Sequence, residues 1–333
     1  MRVLITAPYY QEAQQRLANA LGEMIYRPWK TQGRAYNEEE LIALLNETKA
    51  DALITEHDQV TEKVIRSFPH LQFIGVCRGT PSNVAISVAS ERDIPVFYTP
   101  ARNAQAVAEM FIANVITLMR NTFAACKWLE EERWEAGAHT SYLSFKGNEL
   151  AGKTVGMVGF GAIGQRIAHM IKDFPCTIRF YDPFMTSPHK EFKKVSLEDI
   201  FTQSDIVSVH LPANEQTSGM IDKTLLSLMK PDAIFVNTSR AMVVRRKDLL
   251  SVLENRQIRG AVLDVFDHEP PDETDYKIIH LPHVLATPHI AGATFEVEDH
   301  HADILNACLL GWFVHGKRED LPLANRNILS VNR

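Results

Sequence analysis

The stretch Val155–Gly164, read V-G-M-V-G-F-G-A-I-G, most limits what this chain can fold into. An apolar run is followed by Gly159-x-Gly161-x-x-Gly164 and then by a segment of helical character, Ala162–Asp173. In such a turn the first glycine permits the tight bend. The second lets backbone approach a pyrophosphate, and the third lets helix pack close to strand. A second apolar strand, Thr177–Tyr181, ends at Asp182, 18 residues past Gly164. That is near the offset of about 20 for a ribose-binding carboxylate. The segment reads as a βαβ unit holding a dinucleotide, with a purely structural βαβ turn as the bland alternative.

Around it the chain alternates strand and helix twice. Residues 1–100 give strands at Arg2–Ala7, Met24–Tyr26, Ala52–Thr55, Phe73–Cys77 and Val96–Tyr98, with helices at Gln11–Leu21, Glu38–Asn46 and Glu62–Phe68. Residues 150–290 add strands at Ile206–Val209, Ala233–Asn237, Gly260–Asp264 and Val284–Ala286. The helices expected between them are Leu197–Phe201, Asp222–Met229 and Lys247–Glu254. Such alternation predicts parallel sheets covered on both faces. Asp182, His210, Thr238-Ser239-Arg240, Asp264 and His289 all come just after strands, so one sheet edge collects the chemically capable groups. In the first unit, the loop Arg78–Asn83 follows a strand, and Arg78 reads either as an anion contact or as a solvated arginine.

Between the units, Thr99–Asn103 breaks the pattern and an apolar helix is expected from about Ala104 to Cys126. It is apolar around much of its circumference, which predicts burial between domains or subunits. The polar segment Lys127–Asn148, with Trp128, Trp134 and Tyr142, reads as an excursion packing on a neighbour, such as a second subunit in a homodimer. A last apolar helix is expected over Ala291–Gly316, with His300, His301 and His315 as surface or interface residues. The tail Lys317–Arg333 is expected to lie across the surface.

With 333 residues and 45% hydrophobic content the chain has material for about two domains. The net charge of −6 argues against general binding of nucleic acid or anionic membrane. The apolar run Val107–Met119 is interrupted by Glu109 and Asn114, so no membrane span is expected. Met1 leads directly into a strand rather than a secretory signal. Four scattered cysteines, Cys77, Cys126, Cys176 and Cys308, fit neither a zinc site nor a disulfide framework. A cytoplasmic protein with reduced thiols and no metal is expected.

Five segments together resemble the D-isomer-specific 2-hydroxyacid dehydrogenase family: Leu150–Gly164, Val209–Pro212 with Thr217, Val236–Arg240, Leu263–Phe266 with Glu269-Pro270, and Thr287–Thr294. They come in the family's order over roughly residues 100–315. The resemblance implies two doubly wound parallel-sheet α/β domains. A Rossmann NAD domain, residues 102–290, would be inserted in a flavodoxin-like substrate domain, residues 1–101 and 291–333. It implies a hydride transfer between NAD and a D-2-hydroxy acid or its 2-oxo acid. Arg240 would hold the substrate's carboxylate and carbonyl, His289 would be the general acid/base, and Glu269 its partner. Gly159, Gly161, Ala162, Ile163 and Gly164 would frame the pyrophosphate, and Asp182 the ribose. Leu211, Pro212, Thr217, Thr238 and Ser239 would line the cofactor, and Asp264 would face the nicotinamide amide.

These residue types suit that chemistry. Arginine's planar fork matches a carboxylate, and histidine exchanges protons near neutral pH. The sequence departs from the family pattern at Ala241, where glycine is usual, and at Val244-Arg245-Arg246-Lys247, where an acid commonly begins a helix. The 78–83 loop also differs. With Gly79, Arg78 and Arg102 are candidate substrate contacts, and three cations with Arg240 would favour a sugar-acid or phosphorylated substrate, such as phosphoglycerate, or hydroxypyruvate or glyoxylate. Asp182 would repel a 2′-phosphate, and Pro183-Phe184-Met185 offers no cation, so NAD is expected over NADP. The competing class is a non-enzymatic NAD(H)-binding module of corepressor type, which can retain the same trio.

Overall fold

The computed structural model describes residues 1–134, 137–186 and 190–331. Two compact units emerge: Met1–Asn103 with Thr294–Arg333, and Ala104–Ala293. The first is built on five parallel strands: β1 (Arg2–Ile5), β2 (Glu23–Tyr26), β3 (Ala52–Thr55), β4 (Ile74–Val76) and β5 (Val96–Tyr98). Their order is β2-β1-β3-β4-β5. Successive side chains of β1 point to opposite faces, and both faces are covered. Val3 and Ile5 join a core with Leu305 and Leu309, whereas Leu4 packs with Leu41, Leu45 and Val64. Each such fully buried aliphatic side chain contributes about 1.5–3 kcal/mol.

The C-terminal helix Glu296–Phe313 belongs to this first unit. It begins later than expected, because the residues from Ala291 form a loop rather than a first turn. Its close packing uses Gly75 of β4, where a Cβ would lie 2.8 Å from Leu305 Cδ2. The tail does not simply cross the surface. Leu323 bridges Phe97 antiparallel, and Asn325 accepts from Val96 N at 2.9 Å and donates to Ile94 O at 2.8 Å. The tail thus covers the free edge of β5, which would otherwise present unpaired backbone groups.

The second unit carries seven parallel strands: β6 (Thr154–Val158), β7 (Thr177–Tyr181), β8 (Lys193–Lys194), β9 (Ile206–Val209), β10 (Ile234–Asn237), β11 (Gly260–Leu263) and β12 (Val284–Ala286). Their order is β12-β11-β10-β9-β6-β7-β8. The apolar helix after the inter-unit break ends at Met119, not near Cys126, because Asn121 takes a left-handed φ of +54° before a separate helix, Thr122–Glu130. Asparagine tolerates that conformation better than most residues. Phe111, Val115 and Met119 of the first helix pack with Val155, Met157, Val236 and Val262, so its apolar surface is buried within the second unit itself.

Candidate active site

Strand order places the candidate residues before any side chain is considered. β12, β11 and β10 are neighbours. Arg240 follows the end of β10, Asp264 and Glu269 follow β11, and His289 follows β12. Three loops at one carboxyl edge therefore carry the guanidinium, the carboxylates and the imidazole, which is where open α/β sheets bind ligands.

The Glu269 carboxylate meets His289 Nδ1 at 2.9 Å (Oε1) and 2.8 Å (Oε2). A carboxylate can only accept, so Nδ1 carries the hydrogen and Nε2 is the ring atom left for a reacting group. Both side chains are nearly half exposed, at 46% and 44%, and so open to a diffusing small molecule. His289 has a left-handed φ of +55°, a conformation costing a non-glycine residue about 1 kcal/mol or more.

Asp264 holds that backbone in place. It is 1% exposed. Its Oδ1 accepts from Thr287 Oγ1 at 2.6 Å and Ile290 N at 2.9 Å, and its Oδ2 accepts from Ala291 N at 2.8 Å. The carboxylate expected to face the nicotinamide amide is therefore occupied on both oxygens by the loop bearing His289. Sequence order hides this, because the partners lie more than twenty residues downstream.

Asn237 organises the neighbouring turn. Its Oδ1 accepts from Ser239 N at 3.0 Å and Ser239 Oγ at 2.9 Å, while its Nδ2 donates to Arg240 O at 3.1 Å. Such an Asx-type turn is readable from an asparagine ending a strand. Ser239 is buried, and its hydroxyl is committed to Asn237. Thr238 is also buried, and its Oγ1 has no partner among the described residues. Arg240 is exposed, its Nη1 donating to Ser239 O at 2.6 Å. No carboxylate pairs with it among the described residues, which leaves its charge available to an anion. Ala241 lacks a positive φ, so glycine is not required in the short 3-10 turn Ala241–Val243.

The glycine turn fits a dinucleotide. Gly159 has φ +92°, and a Cβ there would meet His210 O at 2.6 Å. At Gly161 a Cβ would meet nothing within 4 Å, so the backbone ahead of helix Ala162–Ile171 is open to a phosphate. Ala162 is exposed at that helix start. Ile163 is half-buried and packs on the core, and Gly164 lies against Gly159 O. Asp182 accepts from Phe160 N and Phe184 N, each at 2.9 Å, which fixes its carboxylate at the end of β7. Lys194 of β8 reaches Met185 O at 2.6 Å, so a cation does stand beside the loop after Asp182. Leu211 is half-buried and Pro212 exposed, and Thr217 Oγ1 donates to Pro212 O at 2.6 Å, closing that loop on itself.

His210 follows β9. Its Nε2 lies 2.9 Å from Ser208 Oγ, and its Nδ1 is buried without a partner among the described residues. Burial pushes its imidazole down to about 4, so the ring is neutral at ordinary pH.

Arg78, Gly79 and Arg102 lie in the first unit, after β4 and β5, and Arg78 O accepts from Thr99 N at 2.9 Å. Arg78 is half-buried and Gly79 exposed. Arg102 is not an uncompensated cation, contrary to its count among three. Its Nη1 donates to Glu56 Oε1 at 2.7 Å and lies 2.9 Å from His301 Nδ1. Trp29 Nε1 donates to Glu56 Oε2 at 3.1 Å. Burial raises the Glu56 carboxyl, but its neighbours, the Arg102 guanidinium first, outweigh it and hold the group below its usual range. His301, expected at the surface or an interface, is fully buried. Its Nε2 donates to Pro8 O at 2.7 Å, so Nδ1 accepts from Arg102, and burial pushes the ring down to about 4. His300 and His315 are exposed.

Comparison with known proteins agrees with this architecture. The D-isomer specific 2-hydroxyacid dehydrogenase NAD binding domain matches residues 112–291. YoaD of Bacillus subtilis (strain 168), whose name assigns it provisionally as a 2-hydroxyacid dehydrogenase, is 59% identical across 94% of this chain and 91% of its own. The hydroxypyruvate reductase of Thermotoga maritima is 32% identical across 89% of this chain and 93% of its own. The structure of D-2-hydroxyisocaproate dehydrogenase shares the fold, with a TM-score of 0.81 at 24% identity, covering 98% of this chain and all of that one. The chain belongs to the D-isomer specific 2-hydroxyacid dehydrogenase family. It is an oxidoreductase that binds a nicotinamide dinucleotide and interconverts D-2-hydroxy and 2-oxo acids. The relatives found give no support to the non-enzymatic alternative. No helix among the described residues is long and apolar enough to cross a membrane.

Proposed function

We propose that His289 is the proton donor and acceptor at the substrate oxygen, oriented by Glu269, and that Arg240 holds the substrate carboxylate. The single observation carrying this reading is the Glu269–His289 contact, which leaves Nε2 for the substrate. Bound nicotinamide supplies or accepts the hydride. In the reducing direction His289 gives its Nε2 proton to the oxygen as it becomes an alkoxide. Glu269 stabilises the imidazolium before that step and fixes the ring plane. Arg240, lacking a carboxylate partner among the described residues, binds the acid group through its planar fork. Asp264 acts on the backbone of the His289 loop rather than on the reacting atoms.

The preferred cofactor in this reading is NAD. Asp182 is fixed by two backbone amides, and its charge disfavours a 2′-phosphate. Lys194 is engaged with the main-chain carbonyl of Met185. The first unit, with Arg78, Gly79 and Arg102, serves as the substrate domain. Because Glu56 already neutralises Arg102, a short 2-oxo acid with one carboxylate, of hydroxypyruvate or glyoxylate size, fits better than a phosphorylated one. The exposed Phe123, Leu129, Trp134, Tyr142 and Leu143 support a homodimer through the segment after Met119. Four free cysteines support a reducing, cytoplasmic setting.

The test is steady-state reduction of a panel of 2-oxo acids with NADH and NADPH. The reading expects turnover of hydroxypyruvate or glyoxylate above that of longer or phosphorylated acids, with kcat/KM at least about tenfold higher for NADH. Equal use of both cofactors contradicts the cofactor assignment, and a preference for phosphorylated acids contradicts the substrate assignment.

A further inference from the structure

Arg246 occupies the first position of helix Arg246–Glu254, where the helix dipole disfavours a cation. Its neighbours explain its presence. Nε lies 3.2 Å from Asp267 Oδ2, and Nη1 lies 2.8 Å from Asp272 and 3.1 Å from Asp275 Oδ1. His268 Nδ1 stands 3.4 Å from the same Nη1 and 3.0 Å from Asp272 Oδ2. These acids surround the turn that carries Glu269.

Asp275 is the centre of the arrangement. It is 1% exposed, and its Oδ2 accepts from His268 N and Asp272 N, both at 3.2 Å. Those two amides bracket Glu269-Pro270-Pro271, whose prolines have no N–H to donate. The turn is therefore pinned at both ends to one buried carboxylate. Glu269 has weak support of its own, with Phe266 N 3.5 Å from Oε1. A buried carboxylate without a compensating cation is strongly disfavoured, and Arg246 supplies the cation. His268, Asp272 and Asp275 could gather round a metal ion, but the guanidinium already supplies that positive charge.

We propose that Arg246 is a positioning residue for the acid/base pair: by pairing with Asp275, whose carboxylate holds both ends of the turn, it fixes Glu269 against Nδ1 of His289. This inference rests on the roles given above to Glu269 and His289. It also gives a reason for a cation at the first position of this helix. Asp272, held down at about 2 first by Arg246 and then by the backbone N–H of Asp275, is consistent with the same guanidinium.

The test is a double-mutant cycle on the full-length enzyme with Arg246→Gln, Glu269→Gln and the pair, following kcat, the KM for NADH and thermal melting. Arg246→Gln should lower kcat about tenfold while the KM for NADH stays within about twofold, and Arg246→Lys should recover part of the loss. In the Glu269→Gln background, Arg246→Gln should cost less than about twofold more, since the group it positions is already disabled. Multiplying losses, or an Arg246→Gln enzyme within twofold of the original, overturns the inference and leaves the roles of Glu269 and His289 intact. An undiminished Glu269→Gln enzyme overturns the Glu269 role, and this inference falls with it. If Arg246→Gln does not fold, Arg246→Lys carries the same cycle.

Discussion

Both carboxylate oxygens of Glu269 lie within 2.9 Å of the same ring atom, Nδ1 of His289. The contact selects one tautomer and one ring plane, and it leaves Nε2 to the substrate. Its removal should be felt in turnover rather than in nucleotide binding. Glu269→Gln is expected to lower kcat about 10- to 100-fold, since the amide cannot stabilise the imidazolium, while the Kd for NADH stays within about twofold. Stopped-flow turnover with fluorescence titration of NADH checks both parts.

Asp264 supports the same histidine from behind. Asp264→Ala leaves Thr287 Oγ1, Ile290 N and Ala291 N without their acceptor. Each buried donor left unpaired costs about 1–3 kcal/mol, so the midpoint of urea unfolding should fall markedly, with kcat falling as His289 loses its backbone constraint. Denaturation curves and activity measured on one preparation would show the two effects together.

Asp182 carries the cofactor prediction. Asp182→Ala removes the fixed charge together with two acceptor contacts. The ratio of kcat/KM for NADPH to that for NADH should rise about tenfold or more, mainly through a loss with NADH. An unchanged ratio would show that the charge does not select the cofactor.

Stability should fall on acidification through His301. Its folded-state value lies near 4, below the ordinary 6.5, so the unfolded chain binds the proton first. Stability from this group is complete above about pH 6.5 and is lost as pH falls toward 4. Between pH 7 and 5 the loss is about 2 kcal/mol. His301→Gln should flatten that part of the profile, although its stability at pH 7 will be lower, because Arg102 and Pro8 O lose their imidazole partner. Urea unfolding at a series of pH values measures the slope directly.

The parallel sheets were legible because buried parallel strands are written as short β-branched runs, and because Gly159, Gly161 and Gly164 admit few other structures. The Glu269–His289 contact could be anticipated from the resemblance and not from spacing, since twenty residues separate the pair. What stayed hidden were long-range pairings. His301 reads as a surface or interface histidine because its partners, Arg102 and Pro8, lie about 200 and 290 residues away. The partners of Arg246 are hidden in the same way, because the acids that hold it come more than twenty residues later. β8, two lysines long, has no apolar signal, and the tail's pairing with β5 depends on an edge that only the folded sheet creates.

In the proposed mechanism His289 moves the proton while the rest of the site binds and orients. The most direct measurement is kcat for NADH-dependent reduction of the best 2-oxo acid by the enzyme and by His289→Ala, with NADH affinity measured in parallel. The account predicts a loss of about 10²–10⁴-fold in kcat with NADH binding unchanged. A His289→Ala enzyme that turns over at the original rate would contradict it.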